Sequence, residues 1–398
     1  MSDTQLDGGK TAGGVPPFDA SRLDRLMEEA GLDVVLATSK HSIQYVLGGY
    51  RYYFYSYMDA HGLSRYLPIF IYVRGRPDLA AYVASPMEAH ERALKKFWVA
   101  EVMVDNMTST QYAGSAVRYL DRIGHANGRI GVEVGFLPVD AYDVLRQGLP
   151  LATIVDGTFT LEFLRAIKSP AELELVKEAS EKVVDSMLAV FSAYGPGSTK
   201  NELVDALRRE EQDRGLKFEY CLTNVGTDFN RSPSDQVWCA GEVLAIDSGG
   251  NYRGYIGDLC RMAFSGKPDS ELQELLAEVE EIQQAARRPI RSGAFGAEIY
   301  RRPDALLARS RNRDEMSFVA HGMGIVSHEA PWLTDRCSVP YPAYHADRPL
   351  EAGMVISIET TLLHPRRGFI KLEDTLAVTD DGYQAYGDHG RGWNSARS

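Results

Sequence analysis

Apolar residues recur along this chain in two rhythms. From Ala20 to Ala30 they fall three and four apart, which predicts a helix ended by Gly31. Short apolar runs at Val34–Ala37, Leu67–Val73, Leu79–Val83 and Ile130–Val134 predict strands, alternating with helical stretches at Met87–Phe97 and Val139–Gln147. That alternation predicts a small α/β domain over residues 17–155, behind a flexible tail, 1–16. A second unit, 160–398, opens at Ser169-Pro170-Ala171-Glu172, where Ser169 suits an N-cap, Pro170 the first helical position, and Glu172 closes a capping box. Leu173, Val176, Val183, Met187 and Val190 continue as a helical stripe until Gly195-Pro196-Gly197. Two more helices are predicted over 201–214 and 271–288, and strand pairs over 243–264 and 354–378. Helices mixed with hairpins predict an α+β unit, not a parallel doubly wound sheet.

The hairpins carry the candidate chemistry. A turn centred between Tyr252 and Arg253 would set Asp247 opposite Asp258, and one centred on Arg366 would set Glu359 opposite Glu373. Residues directly opposed on a sheet have Cβ atoms ~5 Å apart, and two carboxylates that close repel unless a cation sits between them. On the other face of the second hairpin, Ile356, Ile358, Leu362, Ile370, Leu372 and Leu376 form an apolar surface for helices to cover. His321, in His321-Gly322-Met323-Gly324, offers an imidazole where small neighbours let backbones approach. Four carboxylates and one imidazole favour Mn, Fe, Co or Zn. Two such ions ~3.5–4 Å apart can share a water, lower its pKa and polarise a carbonyl.

Composition narrows the partners. The 398 residues hold 43 basic and 55 acidic side chains, a formal charge of −12, which argues against nucleic acid. Cys221, Cys239, Cys260 and Cys337 are far apart and read as reduced thiols. No apolar stretch approaches the ~20 residues of a membrane span, and the first residues lack the apolar core of a signal peptide, so a cytoplasmic protein with no membrane partner is expected. Gly9-Lys10-Thr11 lacks the earlier glycine of a phosphate loop. Asn106-Met107-Thr108 is a glycosylation sequon without secretory context.

The acidic segments resemble those of the pita-bread metallopeptidases: methionine aminopeptidase, aminopeptidase P and prolidase, with creatinase as a metal-free relative. The resemblance rests on Ala245-Ile246-Asp247-Ser248-Gly249, Gly257-Asp258-Leu259-Cys260-Arg261, His321-Gly322-Met323-Gly324 with His328-Glu329-Ala330-Pro331, Ser357-Ile358-Glu359 and Leu372-Glu373-Asp374. Ser42–Gly49 in turn resembles the creatinase/prolidase N-terminal domain, which favours the prolidase and aminopeptidase P branch. The resemblance implies an α+β fold, with a C-terminal pita-bread domain behind a smaller N-terminal α/β creatinase-type domain. It implies that Asp247, Asp258, His321, Glu359 and Glu373 bind two divalent metal ions, Mn first, with Co, Zn or Fe as alternatives. A metal-bridged hydroxide would attack the scissile carbonyl of an Xaa-Pro dipeptide or peptide, Glu359 or its neighbour acid would shuttle the proton, and His328 would bond to the substrate or tetrahedral intermediate. A homodimer acting on a short peptide or other small molecule is the implied assembly.

Four positions depart from that pattern. Asn230 stands where a histidine is usual, Cys260-Arg261 replaces Thr-Arg, Glu359-Thr360 replaces Glu-Pro, and Lys371 replaces Arg. Asn230 and Arg231 are expected to contact substrate, and Arg231, Arg336 and Arg348 are candidates for binding a substrate carboxylate. The changes fall among substrate contacts, which keeps open a non-peptide substrate, as in creatinase, ectoine hydrolase or a sulfoniopropionate lyase, and a non-catalytic binding scaffold. The aromatic run Tyr50–Tyr57 is expected to pack or form an interface; as a lid it would act with His61 and Arg65.

Overall fold

Asp19, Ser39 and Thr108 each accept a hydrogen bond from the backbone N–H three residues on, and a helix begins after each. The structure, a computed structural model, describes residues 14–57, 66–335 and 342–397. Its chain divides into two units, one ending at Arg165 and the other beginning at Ala166.

In the first unit the helices are α1 (Ala20–Glu29), α2 (Lys40–Val46), α3 (Ala89–Ala93), α4 (Ser109–Arg122), α5 (Val139–Gly148) and α6 (Thr158–Ala166). The strands are β1 (Val34–Ala37), β2 (Ile69–Val73), β3 (Arg76–Val83), β4 (Glu101–Met103), β5 (Arg129–Val132) and β6 (Thr153–Asp156), in the sheet order β4-β3-β2-β1-β5-β6. β1 runs antiparallel to β2 and parallel to β5, so the α/β expectation holds with a mixed sheet. The helix expected over Met87–Phe97 is shorter: Lys95 takes a left-handed φ of 54°, and α3 stops before it. α6 buries Leu161 and Leu164 in the first core, which carries this unit past residue 155. Within the aromatic run, Tyr52 and Tyr55 are buried while Tyr53 and Tyr57 are exposed; His61 and Arg65 lie outside the described residues.

The second unit continues with α7 (Pro170–Ala193), α8 (Lys200–Asp213), β7 (Lys217–Val225), β8 (Val243–Tyr252), β9 (Tyr255–Phe264), α9 (Ser270–Arg287), α10 (Gly296–Leu307), β10 (Met316–Gly322), β11 (Val355–His364), β12 (Gly368–Val378), β13 (Tyr383–Tyr386) and β14 (Trp393–Ser395). The capping box of Ser169 and Glu172 starts α7 as the sequence predicts. The sheet order is β10-β11-β12-β9-β8-β7, with β13 on β12 and β14 on β9. Helix α7 packs on β8 and β9, α9 on β11 and β12, and α10 on β10. The apolar set on β11 and β12, from Ile356 to Leu376, lies buried, so one face of the sheet is closed by helices. This is the α+β pita-bread arrangement that the resemblance implies. Among the described residues no helix is long and apolar enough to cross a membrane.

The two hairpins turn differently. Glu359 pairs with Glu373, as predicted. Asp247 does not pair with Asp258: it faces Cys260, and Asp258 faces Gly249. The β8–β9 turn is the tight pair Arg253-Gly254, with φ of 52° and 100°, where the polar composition suggests a wider loop. The register is thereby shifted by two residues, an even step that leaves both aspartates on the same face.

Candidate metal centre

Strand pairing assembles the site in rows across the sheet face away from the helices. One row reads Leu222, Asp247, Cys260, Glu373, Glu359, Val319. The next row holds Tyr220, Gly249 and Asp258 on one half and Thr375, Ser357 and His321 on the other, joined by the Thr375 hydroxyl donating to the Asp258 carbonyl at 3.3 Å. All five expected ligands converge. Groups of potential ligand atoms lie within 4.8 Å of one another in three overlapping sets: Asp247, Asp258 and Glu373; His321, Glu359 and Glu373; and Asp258, His321 and His328.

His321 is oriented for this role. Its Nδ1 lies 3.2 Å from the Gly322 carbonyl, while its Nε2 is buried without a hydrogen-bond partner, 3.7 Å from Glu359 and 3.8 Å from Glu373. A ring nitrogen tied to a carbonyl, with the other aimed bare at carboxylates, is how a metal-binding histidine is held. The donor set fits a divalent ion. Burial opposes charge on His321, but Glu373, Glu359 and Asp258 outweigh it and push its pKa up to about 9, so this position attracts a positive charge, proton or metal. Burial, Glu373 and Asp247 together raise the Asp258 carboxyl well above its ordinary range.

Glycines make the close approaches possible. A Cβ on Gly249 would lie 2.2 Å from the Tyr220 ring, whose hydroxyl bonds to Asp258. A Cβ on Gly322 would meet the Pro331 nitrogen at 2.2 Å, and one on Gly324 would meet the Glu329 carboxylate at 2.3 Å. The backbone can therefore fold back beside His321 and bring the His328 ring onto it, with centroids 3.8 Å apart and planes at 11°. Burial and the neighbouring His321 charge lower the His328 pKa to about 4, so its ring is neutral at pH 7.

The basic residues were the less legible part. Lys371 is buried, and its Nζ lies 2.6 Å from Asp247 Oδ2, 2.5 Å from Glu359 Oε2 and 2.9 Å from Glu373 Oε2. Its place two residues before Glu373 on one strand was the available signal. Arg231 donates to the same Asp247 Oδ2 and lies over the Phe369 ring at 5.1 Å. Asn230 is not among the residues that line the cleft, and its Oδ1 accepts from the Ser232 backbone N–H within its own loop. Arg348 is exposed away from the cleft walls, and Arg336 lies outside the described residues.

These groups open on a cavity of about 800 Å³. Leu222, Phe229, Leu363 and Phe369 are among its apolar lining, and Arg231, His328, Glu359 and Lys371 among its polar lining.

Residues 174–380 match metallopeptidase family M24, and residues 20–167 match the creatinase/prolidase N-terminal domain. The chain is 24% identical over 373 residues to the uncharacterized peptidase YqhT of Bacillus subtilis (strain 168), an alignment covering 91% of this chain and 95% of that one. Its fold is similar to that of an Xaa-Pro dipeptidase from Bacillus anthracis, with a TM-score of 0.78, 22% identity, and coverage of 94% of this chain and 98% of the other. A recombinant prolidase from Thermococcus sibiricus is similar at a TM-score of 0.77 and 18% identity, covering 95% of this chain and 97% of the other. The strands that gather the acids and His321 all lie within the M24 match, and the chain belongs to metallopeptidase family M24.

Proposed function

We propose that this chain is a divalent-metal-dependent hydrolase of short peptides, with Xaa-Pro peptides as its substrate class. The carrying observation is the buried His321 Nε2, which has no hydrogen-bond partner and faces the Glu359 and Glu373 carboxylates. Asp247, Asp258, His321, Glu359 and Glu373 would hold the metal, which as a Lewis acid polarises a carbonyl and makes water a nucleophile near neutral pH.

The protein's own groups do the rest. Glu359 is the partly exposed member of the four acids and faces the cavity, so it takes the proton from the attacking water and passes it to the leaving nitrogen. His328, neutral at pH 7, donates to the oxygen of the tetrahedral intermediate as charge develops there. Arg231 lines the cavity beside Asp247, and its guanidinium would bind a substrate carboxylate. The wall of Leu222, Phe229, Leu363 and Phe369 suits an apolar ring such as proline's.

The test is chelation of the purified protein followed by Mn²⁺ or Co²⁺ and assay on Gly-Pro, Ala-Pro and longer Xaa-Pro peptides. Metal-dependent turnover of these peptides is expected, and a peptide panel that never responds to metal overturns the reading. A second reading, a small non-peptide amide as substrate, is favoured by Asn230 turning into its own loop. Creatine-like amides in the same panel separate the two.

A further inference from the structure

We propose that the buried ion pair of Lys168 and Glu329 positions His328, holding its imidazole stacked on His321 at the cavity wall. What His328 does there rests on the hydrolase reading above; what holds it rests on geometry alone.

The two side chains are 1% and 0% exposed, and Lys168 Nζ donates to Glu329 Oε1 at 3.0 Å and to the Ala166 carbonyl at 3.4 Å. Neither residue lines the cavity, whereas His328, the chain neighbour of Glu329, does. Apolar residues of similar volume often fill such a space with no loss of stability, so packing alone does not call for two charges here. What an ammonium on one carboxylate oxygen adds is direction, because the bond fixes where the segment behind it lies.

Both ends of the pair are pinned. The Lys168 backbone N–H donates to the Gly353 carbonyl at 2.9 Å, and Ile167 pairs with Met354, just before β11. Glu329 pairs with Gly322, the residue after His321: its N–H donates to the Gly322 carbonyl, and the Gly322 N–H to the Pro331 carbonyl, each at 3.0 Å. Between the two charged residues lies Gly324. A Cβ there would meet Glu329 Oε1 at 2.3 Å, Lys168 Cε at 2.5 Å and Lys168 Nζ at 2.9 Å, so the pair lies directly against bare backbone. The Gly324 carbonyl in turn accepts from the Ile256 N–H of β9 at 2.8 Å. The segment from Gly324 to His328 is thereby tied to β9 at one end and to the ion pair at the other. Its last ring rests on His321 with centroids 3.8 Å apart. A donor to a developing oxyanion works only from the right place, and a misplacement of ~1 Å costs on the order of 10²-fold in rate.

The experiment compares three variants of the full-length protein. Glu329→Gln keeps an acceptor for Lys168, Glu329→Asp draws the carboxylate back by one methylene, and the double variant Lys168→Met/Glu329→Met keeps volume without the bond. The first readout needs no turnover: NMR of metal-stripped protein labelled with ¹³C at histidine Cε1, with His328→Gln identifying the His328 signal. Stacked rings shift each other's signals, so the double variant and E329D are expected to move the His328 signal, and E329Q to leave it in place. The second readout is kinetic, on the peptide that the metal-dependent assay identifies. The double variant is expected to lose kcat by on the order of 10²-fold, and E329D by less, with KM and bound Mn²⁺ unchanged, while E329Q stays near wild type. E329D carries both readouts if the double variant does not fold. A His328 signal that stays put in the folded variants, a wild-type kcat despite a moved signal, or a change in KM or bound Mn²⁺ in place of kcat overturns the inference and leaves the hydrolase reading intact. If no peptide is turned over, the hydrolase reading fails and the NMR readout still decides whether the pair holds the ring.

Discussion

Glu373 and Asp374 are consecutive residues that point to opposite faces of one strand, and their surroundings differ in charge. On the helix side, Asp374 lies 3.0 Å from Arg287 and 3.6 Å from Arg261, is paired with Arg391, and accepts from Gln283 at 2.7 Å. Burial alone would raise its pKa, but Arg391, Arg261 and Arg287 outweigh burial and hold the carboxyl well below the usual range. Glu373 on the other side shares Lys371 and His321 with three further acids. Both carboxylates are buried. Burial therefore does not separate structural from functional acid; the balance of charge around each one does. A closed balance locks strands to helices, and a negative surplus is available to a metal.

The largest expected effect breaks the closed side. Asp374→Asn leaves Arg261, Arg287 and Arg391 without their shared counter-charge, and breaking a buried pair typically costs ~3–5 kcal/mol, to be read as a loss in urea unfolding free energy. Glu373→Gln should do the reverse. Metal affinity should fall by more than the ~10–100-fold typical of losing an outer-shell partner, measured by titration with Mn²⁺, while the stripped protein keeps its unfolding midpoint.

A third buried acid sharpens the contrast. Glu211 in α8 lies under the helix side of the sheet, accepts from the Ser248 hydroxyl at 2.8 Å, and leaves its other oxygen unpartnered. With no guanidinium beside it, burial pushes its pKa up to about 7. The folded value lies above the unfolded one, so its contribution is fully present below pH ~4.5 and is lost as pH rises through about 7, a change of up to ~3 kcal/mol. Glu211→Gln should raise the melting temperature relative to wild type at pH 8 and not at pH 5. The smallest effect belongs to the turn: Arg253→Asn, at a φ of 52°, should stabilise by ~0.5–1 kcal/mol and leave metal content unchanged.

Some outer features of the sequence resolve in the same terms. The sequon residue Asn106 is buried, with its amide donating to the Ala84 carbonyl at 3.2 Å, so it is spent on the fold. Cys221 and Cys260 are buried free thiols, and Cys239 is an exposed one.

The amino-acid sequence by itself determined which residues share a face. Side chains alternate along a strand, so the four acids and His321 were legible as one set, and Glu359 opposite Glu373 followed from the turn at His364–Gly368. The sequence also determined where α7 begins, because its capping box is local. The Asp247–Asp258 offset was not legible, since it depends on a two-residue turn chosen among several that the same polar stretch permits. Only the tertiary structure decided what Lys371 and Asn230 do. Lys371 reaches Asp247 across an intervening strand, and Asn230 bonds to its own loop, outcomes set by packing and competing hydrogen bonds that no spacing along the chain records.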